Sequence, residues 1–89
     1  MNQEAASELY EDPAFEPGDK VRAVRAVRND GTYPGVAVGG FLIEGGDVGY
    51  VKSVGTYLNR FYVYAIDFVD RGVLVGMRRH ELELLEAAP

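Results

Sequence analysis

The chain has 89 residues, 47% hydrophobic and 26% charged, with one histidine, no cysteine and a formal net charge of −5. That length holds one domain, the lack of cysteine excludes disulfides and thiolate-ligated clusters, and no apolar run reaches the roughly 20 residues of a membrane helix. The charge is uneven: Glu4, Glu8, Glu11, Asp12 and Glu16 lie at the start and Glu81, Glu83 and Glu86 at the end, while residues 17–80 hold all 9 Lys and Arg against Asp19, Asp30, Glu44, Asp47, Asp67 and Asp70. A mildly basic body therefore carries acidic ends, whose ordinary use is solubility.

Residues 1–14 read as an acidic flexible leader closed by Asp12-Pro13. The leader has neither the basic start nor the apolar stretch of a secretory signal, so a cytoplasmic location is expected. A single domain is expected over 15–86, opened by the turn Glu16-Pro17-Gly18-Asp19. The run Lys20–Arg28 is ambiguous from its residues. Val21, Val24 and Val27 repeat at helical spacing, yet β-branched content and the preceding turn favour a strand. Residues 29–47, with six glycines and a proline, form a long irregular loop, a kind of segment that is often functional. Its apolar trio Phe41-Leu42-Ile43 either tucks in as a lid or stands out as an anchor.

Three clearer strands follow: Val48–Val54, Arg60–Val69 and Val73–Met77. The middle one is apolar on both faces, Tyr62, Tyr64, Ile66 and Phe68 against Phe61, Val63, Ala65 and Val69, as in a strand buried inside a small barrel. A tight Asp70-Arg71-Gly72 turn joins it to the last, with Gly72 supplying left-handed backbone. His80–Glu86 is a short helical turn or a closing strand, with Leu82, Leu84 and Leu85 capping the barrel. The expected fold class is all-β, a small SH3-like barrel with a long loop after its first strand. Its expected core is Val21, Val51, Val54, Ile66, Phe68, Val73 and Val75.

The chemistry is sparse. His80, between Arg79 and Glu81, and the serines Ser7 and Ser53 assemble no nucleophile–base pair, so no enzyme activity is expected. Asp67 and Asp70 are ordinary turn acids. One histidine and no cysteine leave no N/S ligand set for zinc, and neither metal nor cofactor is expected. GGFLIEGGDVG lacks the Gly-Lys-Ser/Thr ending of a phosphate loop, and no small-molecule substrate is expected. Lys20, Arg22, Arg25 and Arg28 form a basic stripe, and Tyr50, Tyr57 and Tyr62 could stack on bases. A pI near 4.7 disfavours nucleic acid. A binding module is the remaining class.

The nine residues Val27–Gly35, VRNDGTYPG, resemble the signature of the NifZ family of nitrogen-fixation accessory proteins. The resemblance extends to Phe15–Arg22 before it and to Gly46–Val51, Val54–Leu58 and Tyr64–Phe68 after it, spanning about residues 15–82. It implies an SH3-like barrel, with Lys20–Arg28 as strand. It also implies a non-catalytic assembly factor that binds the immature molybdenum–iron nitrogenase component, and other assembly factors with it, and assists P-cluster maturation. Without cysteine, such a factor acts on its partner's conformation and does not carry the cluster by thiolate ligation. Ending soon after the barrel, the chain is not expected to make contacts that depend on an extended tail. The alternative is a generic barrel that binds RNA or a ribosomal particle. The resemblance assigns no catalytic residue. Its signature residues Arg28, Asn29, Asp30, Thr32, Tyr33 and Pro34 are read here as partner-binding, with Arg28 as a two-pronged donor and Tyr33 as an aromatic anchor. Asn29-Asp30-Gly31 and Tyr33-Pro34-Gly35 are also turn-forming strings, so a structural brace is an equal reading.

Overall fold

The computed structural model describes residues 7–89. They form an all-β domain of seven strands: β1 (Lys20–Ala23), β2 (Val27–Arg28), β3 (Phe41–Ile43), β4 (Val48–Tyr57), β5 (Phe61–Phe68), β6 (Val73–Met77) and β7 (Leu82–Glu86). Five make one sheet in the order β6-β5-β4-β1-β7, and β2 pairs with β3 as a separate arm. Every pairing is antiparallel. No ladder joins the edge strands β6 and β7 among the described residues, so any closure depends on side-chain packing.

The run Lys20–Arg28 is not one strand. β1 ends at Ala23, whose N–H donates to Asp47 O at 2.8 Å and whose carbonyl accepts from Gly46 N–H at 2.8 Å. The chain bends over residues 24–26 and re-enters pairing as β2 in the other sheet. Arg22 and Arg28 therefore sit on different sheets and do not form a common stripe. Residues 29–47, expected as irregular, contain β3, which pairs back onto β2 through Val27–Ile43 and Arg28–Phe41.

β4 runs past Gly55 to Tyr57, and a bulge between Val51 and Ser53 bends it. β5 is buried on one face only. Tyr64, Ile66 and Phe68 are at most 1% exposed, while Val63, Ala65 and Asp67 stay partly wet. The expectation of a strand buried on both faces fails, since the face of Val63, Ala65 and Asp67 is only half-buried. The turn after β5 is a 3₁₀ turn, Val69–Arg71, ended by Gly72 at φ 69°, where glycine has no steric penalty.

One cluster forms the core. Val21, Val51, Ile66, Phe68 and Val75 are buried as expected, and Val54 and Val73 pack against them partly exposed. The core also takes Phe15, Ala23, Leu42, Ile43, Tyr64, Met77 and Leu82. Phe15 meets Tyr64 edge-on, ring centroids 5.2 Å apart. Of the three C-terminal leucines only Leu82 is buried. Leu84 and Leu85, expected to cap the core, are 46% and 40% exposed on β7, an edge that no strand covers among the described residues.

Residues 1–6 of the expected leader lie outside the described residues. From Glu8 the chain is held against β5, where β6 no longer covers its edge. Glu8 N–H donates to Arg60 O at 2.7 Å, and the Glu8 carboxylate accepts the Tyr62 N–H at 2.8 Å. Arg79 then pairs with Glu8 and Glu11, each at 3.5 Å. A sheet edge left by one strand is thus satisfied by the backbone N–H and the carboxylate of one residue, Glu8.

Gly49, opposite Val21 in the ladder, is needed for its missing side chain. A methyl there would lie 2.7 Å from Ile66 Cγ2 and 2.8 Å from Asp67 O. Because one of these neighbours is backbone, Gly49→Ala should destabilise the domain by about 1–3 kcal/mol, the usual cost of overpacking. Thermal denaturation checks this. A variant that melts with wild type would mean that β4 and β5 separate freely here.

Candidate functional site

The signature loop is built around Asn29, which is 2% exposed. Its Nδ2 donates to Tyr33 O at 2.9 Å and to Val36 O at 2.7 Å. Its Oδ1 accepts from Gly31 N–H at 3.1 Å and Tyr33 N–H at 3.0 Å. Its backbone pairs with Gly39 and Gly40, both bonds 2.7 Å. A side-chain amide has two donors and one carbonyl oxygen with two lone pairs, and all are used inside the protein. Asn29 is therefore the brace of this loop and turns no polar atom outward.

Its neighbours differ. Arg28 lies on the surface, but Nη1 donates to Gly39 O at 2.9 Å and the guanidinium stacks 4.2 Å from the Phe41 ring centroid. Phe41 is 47% exposed, whereas Leu42 and Ile43 are buried, so the apolar trio splits between anchor and lid. Asp30 accepts from the Thr32 hydroxyl at 2.7 Å and from its N–H at 3.1 Å. The Thr32 hydroxyl, then its N–H, holds the Asp30 carboxyl below its usual range. Asp30, Thr32 and Pro34 face solvent, and Tyr33 is half-buried against the core. Arg28, Asp30, Thr32 and Tyr33 line a groove of about 250 Å³ whose other wall is Leu74, Val75 and Gly76 of β6. The structure thus brings four of the six signature residues to one groove, sets Pro34 at the loop's exposed turn and withdraws Asn29.

A larger cleft, about 520 Å³, lies where the arm meets the sheet, lined by Phe41, Leu42, Val48, Phe68, Val73 and the charged group Asp47, Asp70 and Arg71. Arg71 bonds Asp47 and reaches Glu44 at 3.7 Å, tying the β5–β6 turn to the β3–β4 turn. Burial pushes the Asp47 carboxyl up, but the Glu44 N–H and Arg71 outweigh it and hold it below the usual carboxylate range. Sequence reading missed this cleft because its walls come from segments far apart in the chain. The usable signal was the Asp70-Arg71 pair directly after an aromatic strand, with two further acids, Glu44 and Asp47, in the preceding turn.

Most of the basic stripe is committed internally. Arg22 donates to Glu83 at 2.7 Å and Arg25 lies 4.0 Å from Glu81. Arg28 donates to Gly39 O, so each of the three arginines has a partner within the chain, although all three stay on the surface. His80 is exposed on a 3₁₀ turn. Among the described residues no group of three or more His, Cys, Asp and Glu could hold a metal ion, and no helix is long and apolar enough to cross a membrane.

The family model described as the NifZ domain matches residues 12–84. A putative NifZ protein of Sinorhizobium fredii is 47% identical over 85 residues, covering 96% of this chain and 79% of that protein. A probable NifZ protein of Rhodobacter capsulatus is 51% identical over 70 residues, covering 79% of the chain and 90% of that protein. Protein NifZ of Azotobacter vinelandii is 51% identical over 77 residues, covering 86% of the chain but 48% of that longer protein. No solved structure matches.

Proposed function

Because the chain belongs to the NifZ family of nitrogen-fixation proteins, we propose that it is a non-catalytic assembly factor in the cytoplasm. It binds the immature molybdenum–iron nitrogenase component and assists maturation of the P-clusters. The observation that carries this reading is the family match, which runs through nearly the whole domain from residue 12 to residue 84. The chain's own chemistry is consistent with it. With no cysteine, the factor works on its partner's conformation rather than by holding a cluster on thiolates.

The partner-facing surface is the outward side of the signature loop, with Asp30, Thr32 and Pro34 exposed and the groove beside β6 next to them. A loop fixed by a buried amide presents these groups with little ordering left to do, which favours binding. The test uses the tagged chain and the molybdenum–iron component isolated from a strain blocked before P-cluster formation. Retention of that precursor at physiological salt, and release once the P-clusters are complete, is the expected result. An Asp30→Ala, Pro34→Ala chain loses two exposed hydrogen bonds to Thr32 and one stiff turn residue, about 1–2 kcal/mol together, so it should stay folded at the assay temperature yet retain less precursor. A wild-type chain that never retains the precursor would overturn the reading.

A further inference from the structure

Resting on the reading of the chain as a protein-binding assembly factor, we infer that the tip of the β4–β5 hairpin is a second contact point. It inserts Leu58 into an apolar recess on the same precursor, beside a carboxylate that receives Arg60. The tip is distinct from the signature loop. β6 pairs with β5 only from Tyr64 to Phe68, so the hairpin runs on beyond it, while the loop lies against Leu74–Gly76.

The turn Tyr57–Arg60 is closed by the Arg60 N–H donating to Tyr57 O at 3.0 Å. Its central residues, Leu58 at φ 55° and Asn59 at φ 53°, are both left-handed, the pattern of a type I′ turn. Asparagine tolerates that region. A leucine does not, because its Cβ crowds the backbone carbonyl. The least strained pair would be Asn-Gly. Leu58 is the one residue other than glycine and asparagine at positive φ among the described residues. Strain of this kind is normally offset by packing, but Leu58 is 70% exposed and Tyr57 beside it is 55% exposed. Neither local conformation nor the core accounts for an apolar side chain here, and strained, exposed apolar groups mark places where another molecule supplies the packing.

The base of the tip is stiff. The Tyr57 and Phe61 rings meet at a tilt with centroids 5.5 Å apart, and the Arg78 guanidinium sits 3.5 Å over Phe61. Glu8 N–H fixes the carbonyl of Arg60. A tip already held in place loses little freedom on docking. The exposed Arg60 makes no ion pair among the described residues, and this gives the recess its charge: a carboxylate at the rim, met by a planar donor.

The test is a binding titration of the full chain against the immature molybdenum–iron component, run beside thermal denaturation. Leu58→Gly removes both the side chain and the strain. It should melt at or above the wild-type temperature while Kd rises about 30-fold, as for loss of a hot-spot side chain. Leu58→Met keeps an apolar side chain of similar length and should bind within about threefold of wild type. Arg60→Glu should weaken binding and reduce its salt dependence. If wild type binds and Leu58→Gly binds equally well, the tip is no contact and the signature-loop reading survives alone. If Leu58→Gly melts several degrees lower, the leucine is structural and the inference fails. If wild type does not bind the precursor, both readings fall together.

Discussion

Phe68→Ala should lower the stability of this domain by about 3–5 kcal/mol, the usual cost of removing a buried aromatic ring. The ring is 1% exposed at the end of β5. It occupies space that Gly49 leaves open on β4, with Cδ1 3.0 Å from where a Gly49 methyl would stand. Phe68 also lines the cleft at the arm with Val48 and Val73. The cavity left by its loss would therefore open toward water and loosen the contact between arm and sheet. Domains of this size hold about 5–15 kcal/mol in total, toward the lower end when small. At about 4–8 °C per kcal/mol for a domain under 100 residues, the melting temperature should fall by roughly 12–40 °C. Circular dichroism on heating checks this, and a fall of only a few degrees would remove Phe68 from the centre of the core.

Asn29→Ala should be nearly as damaging, by about 3 kcal/mol, although it deletes only a small polar side chain. It breaks four hydrogen bonds, to the amides of Gly31 and Tyr33 and the carbonyls of Tyr33 and Val36. A net hydrogen bond stabilises by about 1 kcal/mol, and a buried group left without its partner costs about 1–3 kcal/mol. Water can reach part of this loop, which keeps the total below the sum. The amides of Gly31 and Tyr33 should lose protection from hydrogen exchange before the strands do. Asn29→Asp makes the test sharper. It keeps the acceptor side, loses both donations and places a charge where the residue is 2% exposed, so it should be no more stable than the alanine variant. If Asn29→Ala melted as wild type, the brace would have to lie elsewhere in the loop. Because this change collapses the loop, loss of partner capture by Asn29→Ala says nothing about contact. That question belongs to Asp30 and Pro34, whose side chains face water.

How much of this was legible in the sequence varies by element. The all-β class, β4, β5 and β6, and the turn at Gly72 follow from β-branched and aromatic runs punctuated by glycine, because those signals act within a few residues. The family resemblance followed from the same source, since VRNDGTYPG and the glycine spacing after it are read in one dimension. Val21, Val51, Ile66, Phe68 and Val75 were legible as core for the same local reason. The break between β1 and β2 was not. Val24-Arg25-Ala26 has no glycine or proline, and the chain bends there because Ala23 makes its bonds to Gly46 and Asp47, more than twenty residues away. The split of Phe41 from Leu42 and Ile43, and the exposure of Leu84 and Leu85, depend on which element lies over each face.

The same distinction runs through the candidate site. Sequence marked Arg28 to Pro34 as one segment and left brace and binding surface equal. The fold gives the brace to Asn29, by closing the loop around its amide, and leaves Asp30, Thr32 and Pro34 outside. The pairing of Arg71 with the two carboxylates of the β3–β4 turn, and the edge of β5 covered by Glu8, arise only when distant segments come together. Residue type and spacing determine local backbone and apolar pattern. Burial, and with it whether a polar side chain holds the fold or faces a partner, is decided by what the rest of the chain sets against it.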